Sequence, residues 1–397
     1  MRPPKGCLDP HEDLAFSMEL CRGRGIQVLL SHGYRPVCPP SLQRLDSLME
    51  VLEPPKAASI IALTSPHGEA CALNFDVTIS AVLKLVRQKA PEERPLRICY
   101  AERAYRKPEP PGEDFESYQL GAEIIGWDGE GADCEALFLA SLALTEMGIQ
   151  SPTFALGNPS LISRIFKGLP RDAARSLTGC LKRRDFTSYV RMVDQLGPQW
   201  RGLKDIPDLR GGAEVLEALW DREGIREDRA YLELKRLWDF ANQWGIKAIL
   251  DLSLTRNPDY YSGPVFDFYD PNGMPLGGGG RYDGLLKRCG VIGQAVGFSI
   301  DLKATGQASS LKMRAPAAMV WCAPLPPLTA LEFTRRLSQQ GIPFEISWHQ
   351  RPQQSMEAAR IKGIPWWLDP SAGLALNLVD KRRSTVSRFM EEVVSQC

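Results

Sequence analysis

The chain has 397 residues, of which 44% are hydrophobic and 24% are charged. This balance is typical of folded globular proteins and excludes a disordered chain, a collagen-like fibre and a coiled coil. Because the 48 basic and 48 acidic side chains cancel, a chain-wide positive field for holding nucleic acid is absent.

Cysteine and histidine usage gives no sign of a metal site. The ten cysteines form no C-x-x-C pair, and the four histidines are scattered along the chain, so neither metal nor cofactor is expected. The first residues lack an apolar signal-peptide core, and no run approaches 18 apolar residues, so no membrane span is expected. We predict a reduced, cytoplasmic protein.

Hydrophobic periodicity predicts alternating helices and strands in the first 157 residues. In chain order, the predicted elements are a helix over 11–24, a strand, a hairpin at His67-Gly68 and a helix within 57–87, strands at 95–106 and 115–127 with a loop at 107–114 between them, and a helix over 133–147 capped by Asp133 and ended by Gly148.

A change of pattern then divides the chain into domains. Residues 158–245 show only helical periodicity and predict an all-helical insertion, after which strand patterns return. We therefore assign residues 1–157 and 246–305 to one core. Residues 306–316 are a predicted linker. The β-α-β-α-β order of residues 316–397, followed by a last helix, predicts a small C-terminal α/β domain.

Two pairs of polar residues interrupt apolar segments. Asp76 and Thr78 are two apart, and Gln119 and Glu123 are four apart, so each pair would share one face of a strand. Buried polar groups without partners cost about 1–3 kcal/mol each. Either a bound polar ligand or an internal hydrogen-bond network would supply those partners, and the residues alone do not decide between them.

Two further segments combine residues that are typical of ligand sites. Arg256 precedes the pair Tyr260-Tyr261 at the start of a predicted strand, and a glycine run at 277–280 precedes Tyr282. Arginine can bind a carboxylate through two parallel bonds, and tyrosine offers a ring and a hydroxyl group. The alternatives are an aromatic strand packed in the core and a tight hairpin, because the run fits no phosphate-binding loop.

The order of these motifs resembles the catalytic core of histidyl-tRNA synthetase over about residues 5–304. The segments R-x-x-D-Y-Y-x-G at 256–263 and G-G-G-R-Y-D-G-L at 278–285 carry the resemblance. It implies an α+β fold of the class II aminoacyl-tRNA synthetases: an antiparallel sheet of six to seven strands flanked by helices. It also implies a homodimer formed through residues 33–40, and a C-terminal domain similar to a degenerate anticodon-binding domain.

The resemblance also implies a histidine pocket. Asp76, Thr78 and Gln119 lie where that family holds the α-amino group, and Arg256 lies where it meets the α-carboxylate. The imidazole would be read by Glu123, Tyr261 and Tyr282. The full predicted histidine site is Asp76, Thr78, Arg106, Gln119, Glu123, Arg256, Tyr260, Tyr261 and Tyr282.

The ATP side departs from the synthetase pattern. Arg106 matches the invariant arginine of the second class II motif, but the loop after it carries Glu113 and Asp114 where basic residues are usual. Ala304 replaces the arginine of the third motif, and Asn74 replaces a basic residue. Acidic groups beside a triphosphate repel it, so we predict a histidine pocket without ATP chemistry and no catalytic residues.

A second family with this combination is the regulatory subunit of ATP phosphoribosyltransferase, a synthetase paralogue of histidine biosynthesis. Its segments resemble GYRPVCPPSL and SYQLGAEIIG here. The resemblance implies a hetero-oligomer with a short catalytic subunit, which this chain would activate and make sensitive to histidine.

Three other functions stay open. The chain could be an active histidine–tRNA ligase, a synthetase-like enzyme that modifies another molecule, or an RNA-binding module that uses the C-terminal domain. Nucleic acid is not the expected partner, because a cluster such as Lys381-Arg382-Arg383 is typical of a solvated surface.

Overall fold

The computed structural model describes residues 3–52, 58–88, 95–108, 114–220, 225–254, 261–311 and 316–394. They form two compact units, Met1–Lys312 and Met313–Cys397. No helix among the described residues is both long and apolar enough to cross a membrane. The boundaries predicted for the helical insertion are not tested by this division and stay predictions.

The first unit alternates helices and strands along the chain. Its elements are α1 Glu12–Ser31, β1 Arg35–Pro36, β2 Leu42–Arg44, α2 Leu45–Val51, β3 Ala62–Thr64, β4 Ala70–Leu73, α3 Val77–Arg87, β5 Leu96–Tyr105, β6 Glu116–Ile125, α4 Gly131–Glu146, β7 Thr153–Gly157, α5 Pro159–Ile165, α6 Arg171–Lys182, α7 Phe186–Leu196, β8 Arg210–Gly211, α8 Glu214–Trp220, α9 Arg229–Gln243, β9 Ala248–Asp251, β10 Val265–Tyr269, β11 Pro275–Arg281, α10 Asp283–Arg288, β12 Ala295–Asp301 and α11 Leu302–Ala308.

A mixed sheet of nine described strands organises this unit, in the order β1-β5-β6-β12-β11-β10-β7-β9-β8. The six strands from β5 to β7 are antiparallel, as predicted. The two parallel pairs, β1 with β5 and β7 with β9, extend the sheet beyond the expected six or seven strands. A separate small sheet has the order β2-β4-β3 and contains the hairpin predicted at His67-Gly68.

The helices α1, α4 and α11 cover one face of the large sheet. Their apolar residues, such as Leu29, Leu137 and Leu302, pack against inward-facing strand residues, including Leu120 and Phe298. The opposite face carries α3 at one end, where Val77 and Ala81 contact strand β5. The same face also carries a smaller apolar cluster, which includes Ile125 and Leu285, and the polar cavity described below.

Four local predictions were wrong. Asp76 and Thr78 do not alternate along a strand, because the Asp76 carboxylate accepts a bond from the Ile79 N–H and caps α3. Asp133 does not cap α4, which has Glu130 at that position. The region predicted to be all-helical contains β8, which pairs with β9. The predicted linker begins too early, since α11 continues to Ala308.

The second unit is an α/β domain with the predicted β-α-β-α-β order. Its elements are β13 Ala318–Trp321, α12 Pro327–Gln339, β14 Phe344–Ser347, α13 Pro352–Ile361, β15 Trp366–Asp369, β16 Leu374–Asn377, β17 Arg383–Thr385 and α14 Val386–Val394. Alternation along β13 supplies two cores, because Val320 packs with α12 and α14 while Met319 packs with α13.

The glycine run forms part of a strand and not a hairpin. Residues 277–280 lie within β11, between β10 and β12. A Cβ atom on Gly277 or Gly279 would overlap a carbonyl oxygen of β12, and one on Gly280 would lie 2.6 Å from the Pro264 carbonyl. Gly277 and Gly280 also have φ of 149° and 151°, which other residues rarely adopt. The run therefore lets three strands approach closely and leaves their surface without side chains.

Two glycine substitutions should test this packing. Gly279→Ala should lower the free energy of unfolding by about 1–3 kcal/mol or more, because its methyl group overlaps backbone that cannot move aside. Gly23→Ala, on the exposed side of α1 with open space around it, should raise the free energy of unfolding by about 1 kcal/mol. Urea denaturation of both variants checks the prediction; equal effects would contradict it.

Candidate functional site

A cavity of about 360 Å³ opens on the polar face of the large sheet. Its floor comes from β6, β11 and β12, where Gly278 and Gly297 leave room above the strands. Its walls come from the start of α3, the segment after β5 and the residue before α10. The cavity is therefore formed by segments far apart in sequence.

Seven of the nine residues predicted for the histidine site line this one cavity. They are Asp76, Thr78, Arg106, Gln119, Glu123, Tyr261 and Tyr282. The other two, Arg256 and Tyr260, lie outside the described residues. The described lining that the prediction missed is Gly277, Gly278, Gly297, Phe298, Ser299 and Asp301.

Asp76 and Arg106 form an ion pair at the rim of the cavity. The Arg106 Nη2 atom lies 3.2 Å from the Asp76 Oδ2 atom, and its Nε atom donates to the Phe75 carbonyl at 2.8 Å. The arginine also stacks over the Phe75 ring. A carboxylate and a guanidinium side by side present opposite charges, which match the ammonium and carboxylate groups of a free amino acid.

Glu123 lies at the inner end of the cavity and is buried, with 1% of its surface exposed. Tyr100 donates to its Oε1 atom at 3.0 Å, and Tyr282 donates to its Oε2 atom at 2.6 Å. Burial raises the pKa of Glu123 to about 7, against the opposing effect of its bonds to Tyr282, Thr78 and Tyr100. Such a group can hold either a proton or a negative charge near neutral pH.

Gln119 and Asp301 continue the polar lining along the neighbouring strands. The Gln119 amide donates to Ser117 at 2.9 Å and accepts from the Ser299 hydroxyl at 3.2 Å. Asp301 caps α11 by accepting from the Ala304 N–H at 2.8 Å, and burial raises its pKa. Gln119 and Glu123 both line the cavity from β6, in keeping with the face that their spacing predicted.

Sequence reasoning missed two residues that hold this site in place. Tyr100 is fully buried and lies directly opposite Gly121 on β6, whose missing side chain leaves space for the ring. Arg281 is buried beside Tyr282 and pairs with Asp133 at 2.9 Å. The pairing of β5 with β6 brings the Tyr100 hydroxyl within 3.0 Å of the Glu123 Oε1 atom, so spacing along the chain alone gave no signal for it.

Of the residues predicted to have lost ATP contacts, Asn74, Asp114 and Ala304 are among the described residues, whereas Glu113 lies outside them. Asn74 is buried and bonds to Ser80 and to the Arg103 carbonyl. Lys303 forms an ion pair with Asp114. Ala304 packs against the core below α11. Among the described lining residues, three carboxylates therefore accompany one arginine, Arg106.

Residues 7–305 match the family model described as histidyl-tRNA synthetase. The chain belongs to the histidyl-tRNA synthetase family. The match ends where α11 begins its last turn, so it covers the first unit and not the C-terminal unit.

Sequence relatives carry a different name within this family. An ATP phosphoribosyltransferase regulatory subunit from Moorella thermoacetica is 28% identical over 312 residues, covering 76% of this chain and 80% of the relative. One from Desulfitobacterium hafniense (strain Y51) is 28% identical over 376 residues, covering 92% and 96%. The resemblance to these regulatory subunits, predicted from sequence motifs, is confirmed.

Solved structures confirm the class II synthetase-like fold. An ATP phosphoribosyltransferase regulatory subunit/histidyl-tRNA synthetase from Bacillus halodurans C has a TM-score of 0.78 at 21% identity, covering 93% of this chain and 97% of that chain. A histidyl-tRNA synthetase from Nostoc sp. PCC 7120 has a TM-score of 0.83 at 17% identity, covering 100% and 99%. At these identities the likeness concerns the fold alone.

The raised pKa of Glu123 predicts a pH-dependent stability. The unfolded chain loses this proton near pH 4.5, whereas the folded protein keeps it until about pH 7. Stability from this group is therefore complete below about pH 4.5 and falls by about 3 kcal/mol as the pH rises past 7. A glutamine at position 123 does not titrate. As the pH rises from about 4.5 to above 7, the unfolding free energy of Glu123→Gln should therefore increase by about 3 kcal/mol relative to that of the wild type.

Denaturation of both proteins at several pH values measures this difference. Burial raises the pKa of Asp133 to about 6. Because Asp133 is present in both proteins, its contribution to the pH dependence cancels in the difference between them. Glu146→Gln, at an exposed position of α4, keeps Glu123 and is the matched control, so its stability should change with pH as that of the wild type does. A Glu123→Gln difference that stays constant with pH would contradict the prediction.

Proposed function

We propose that the chain is a non-catalytic regulatory subunit of ATP phosphoribosyltransferase that binds L-histidine in the described cavity. The main support for this proposal is that seven of the residues predicted to bind histidine line the same cavity. The names of the sequence relatives support the regulatory role. The chain would activate a short catalytic subunit and make it sensitive to histidine.

Histidine would bind through its charged backbone and its ring. Asp76, with Thr78 and Gln119 nearby, accepts bonds from the ammonium group, while Arg106 and Arg256 bind the carboxylate. Glu123, Tyr261 and Tyr282 surround the imidazole, whose N–H groups donate to the Glu123 carboxylate. Tyr260 is assigned to the same site from its sequence position.

Charge at the rim argues against ATP as a second substrate. Phosphoryl transfer needs cations around the triphosphate. Arg106 is bonded to Asp76, and Lys303 is paired with Asp114. These paired cations offer phosphate oxygens little net positive charge, and Asp301 adds a further acidic group to the lining of the cavity. We infer that the chain forms no adenylate and does not charge tRNA.

The proposed assembly has two contacts. A homodimer would form through residues 33–40, which include the exposed edge strand β1; strand edges of this kind present unpaired backbone groups. The catalytic subunit would bind the dimer to form the hetero-oligomer. Histidine changes the activity of that subunit only through a different affinity for its two states. A cytoplasmic location fits a biosynthetic role and stays a prediction.

Calorimetry and isotope exchange on one purified sample separate the sensor from a ligase. We expect L-histidine to bind and histidine-dependent ATP–pyrophosphate exchange to be absent. Exchange would show an active histidine–tRNA ligase. Absence of histidine binding, even with the catalytic subunit present, would contradict the proposed pocket.

Glu123→Ala tests the ring contact. Loss of a hydrogen bond to a charged group costs about 1.5–3 kcal/mol, so the dissociation constant for histidine should rise by about 10- to 100-fold. Assembly with the catalytic subunit, measured by sedimentation, should be unchanged. Glu146→Ala, on the exposed side of α4, is the matched control and should bind histidine normally. Equal affinities for both variants would place histidine elsewhere.

A further inference from the structure

The carboxyl group of Glu123 is buried, which disfavours its ionised form even though phenol groups bond to it. Both oxygens accept bonds from phenol O–H groups, those of Tyr100 and Tyr282. The backbone of Gly297 packs so closely that a Cβ atom there would overlap the Glu123 Oε2 atom. Among the described residues, the phenols that bond to Glu123 are neutral, so these bonds place no cation against a buried negative charge.

The charged groups around Glu123 increase this cost. Asp76, on the segment leading into α3, is a like charge and raises the pKa of Glu123. Asp301, at the end of β12, adds a second carboxylate to the lining. Arg106, after β5, donates instead to Asp76 and to the Phe75 carbonyl. The residue before α10, Tyr282, and Tyr100 of strand β5 contribute the two phenols.

We propose that Glu123 stores a proton in the empty cavity and passes it to a basic ring nitrogen of the ligand on binding. The cavity would then select ligands by the basicity of their side chain as well as by shape. This inference rests on the proposed function, because it takes L-histidine as the ligand.

The step conserves the proton. The O–H bond of the Glu123 carboxylic acid breaks, and an N–H bond forms on the imidazole nitrogen. The products are a carboxylate and an imidazolium ion, which attract each other inside the cavity. A ligand ring with a pKa close to that of Glu123 makes this exchange nearly balanced; the ordinary pKa of imidazole, about 6.5, meets this condition.

Tyr100 acts as a positioning residue for this proton. Its hydroxyl group lies 3.0 Å from both the Thr78 hydroxyl and the Glu123 Oε1 atom, so it links the wall of the cavity to the buried acid. Its bond to Glu123 favours the ionised form. Removal of this bond should therefore raise the pKa of Glu123 without changing the shape of the cavity.

Calorimetry of histidine binding in buffers of different ionisation enthalpy counts the protons exchanged with solvent. If Glu123 stores a proton, the free protein and the imidazole of free histidine together hold about one and a half protons at pH 6. The complex keeps one of them, so binding should release about half a proton. At pH 8 binding should take up about one proton. Proton uptake at both pH values would show that Glu123 is already ionised in the empty cavity and would overturn the inference.

Two variants define the source of the proton. Histidine binding to Glu123→Gln should release protons from the ligand at pH 6 and should exchange almost no protons at pH 8. Tyr100→Phe should move the crossover from release to uptake to higher pH. Tyr189→Phe, which removes a buried hydroxyl bonded to the Leu203 carbonyl, is the control and should leave the crossover unchanged. A crossover that is identical in the Tyr100→Phe variant would contradict the positioning role.

Infrared difference spectra test the stored proton without a ligand. The spectrum of the wild type minus that of Glu123→Gln should show the C=O band of a carboxylic acid at pH 6, and histidine should abolish it. If histidine binds to a protein that lacks this band, the inference of a stored proton is overturned and the proposed function is not. The band without histidine binding would overturn the proposed function and, with it, the transfer step.

Discussion

The close antiparallel pairing of β6, β12 and β11 is the constraint on which the rest of the site depends. Glycines at 277, 279, 280 and 297 let these strands meet without side chains between them. The surface that they leave becomes the floor of the cavity, and Glu123 stands at its inner end. A larger residue at any of these positions would strain the sheet, and one at Gly277 or Gly297 would also alter the lining of the cavity.

Charge is distributed unevenly around this floor. The groups suited to an amino acid, Asp76, Gln119 and Glu123, face the cavity together. Two cations of this region, Arg106 and Lys303, are paired with Asp76 and Asp114. Under the proposed function, the fold of an adenylate-forming synthetase would here serve ligand recognition without phosphate chemistry, because these cations are engaged.

Much of the fold followed from sequence because its signals are local. The apolar period of the helices, the alternation in β6 and the turn at His67-Gly68 each depend on neighbours along the chain. Asp76 was misplaced because its carboxylate caps a helix, and a cap competes with strand alternation over the same few residues. Asp133 was misplaced because its partner, Arg281, lies 148 residues away.

Sequence by itself determined the family of the chain and the residue types that were predicted for the site. Motif spacing carries that information, since each motif supplies its own side chains. Only the tertiary structure decided that seven of them share one cavity and that Tyr100 supports Glu123. The physical reason is register: which residues meet across strands depends on pairing between distant segments, and pairing is fixed by packing of the whole sheet.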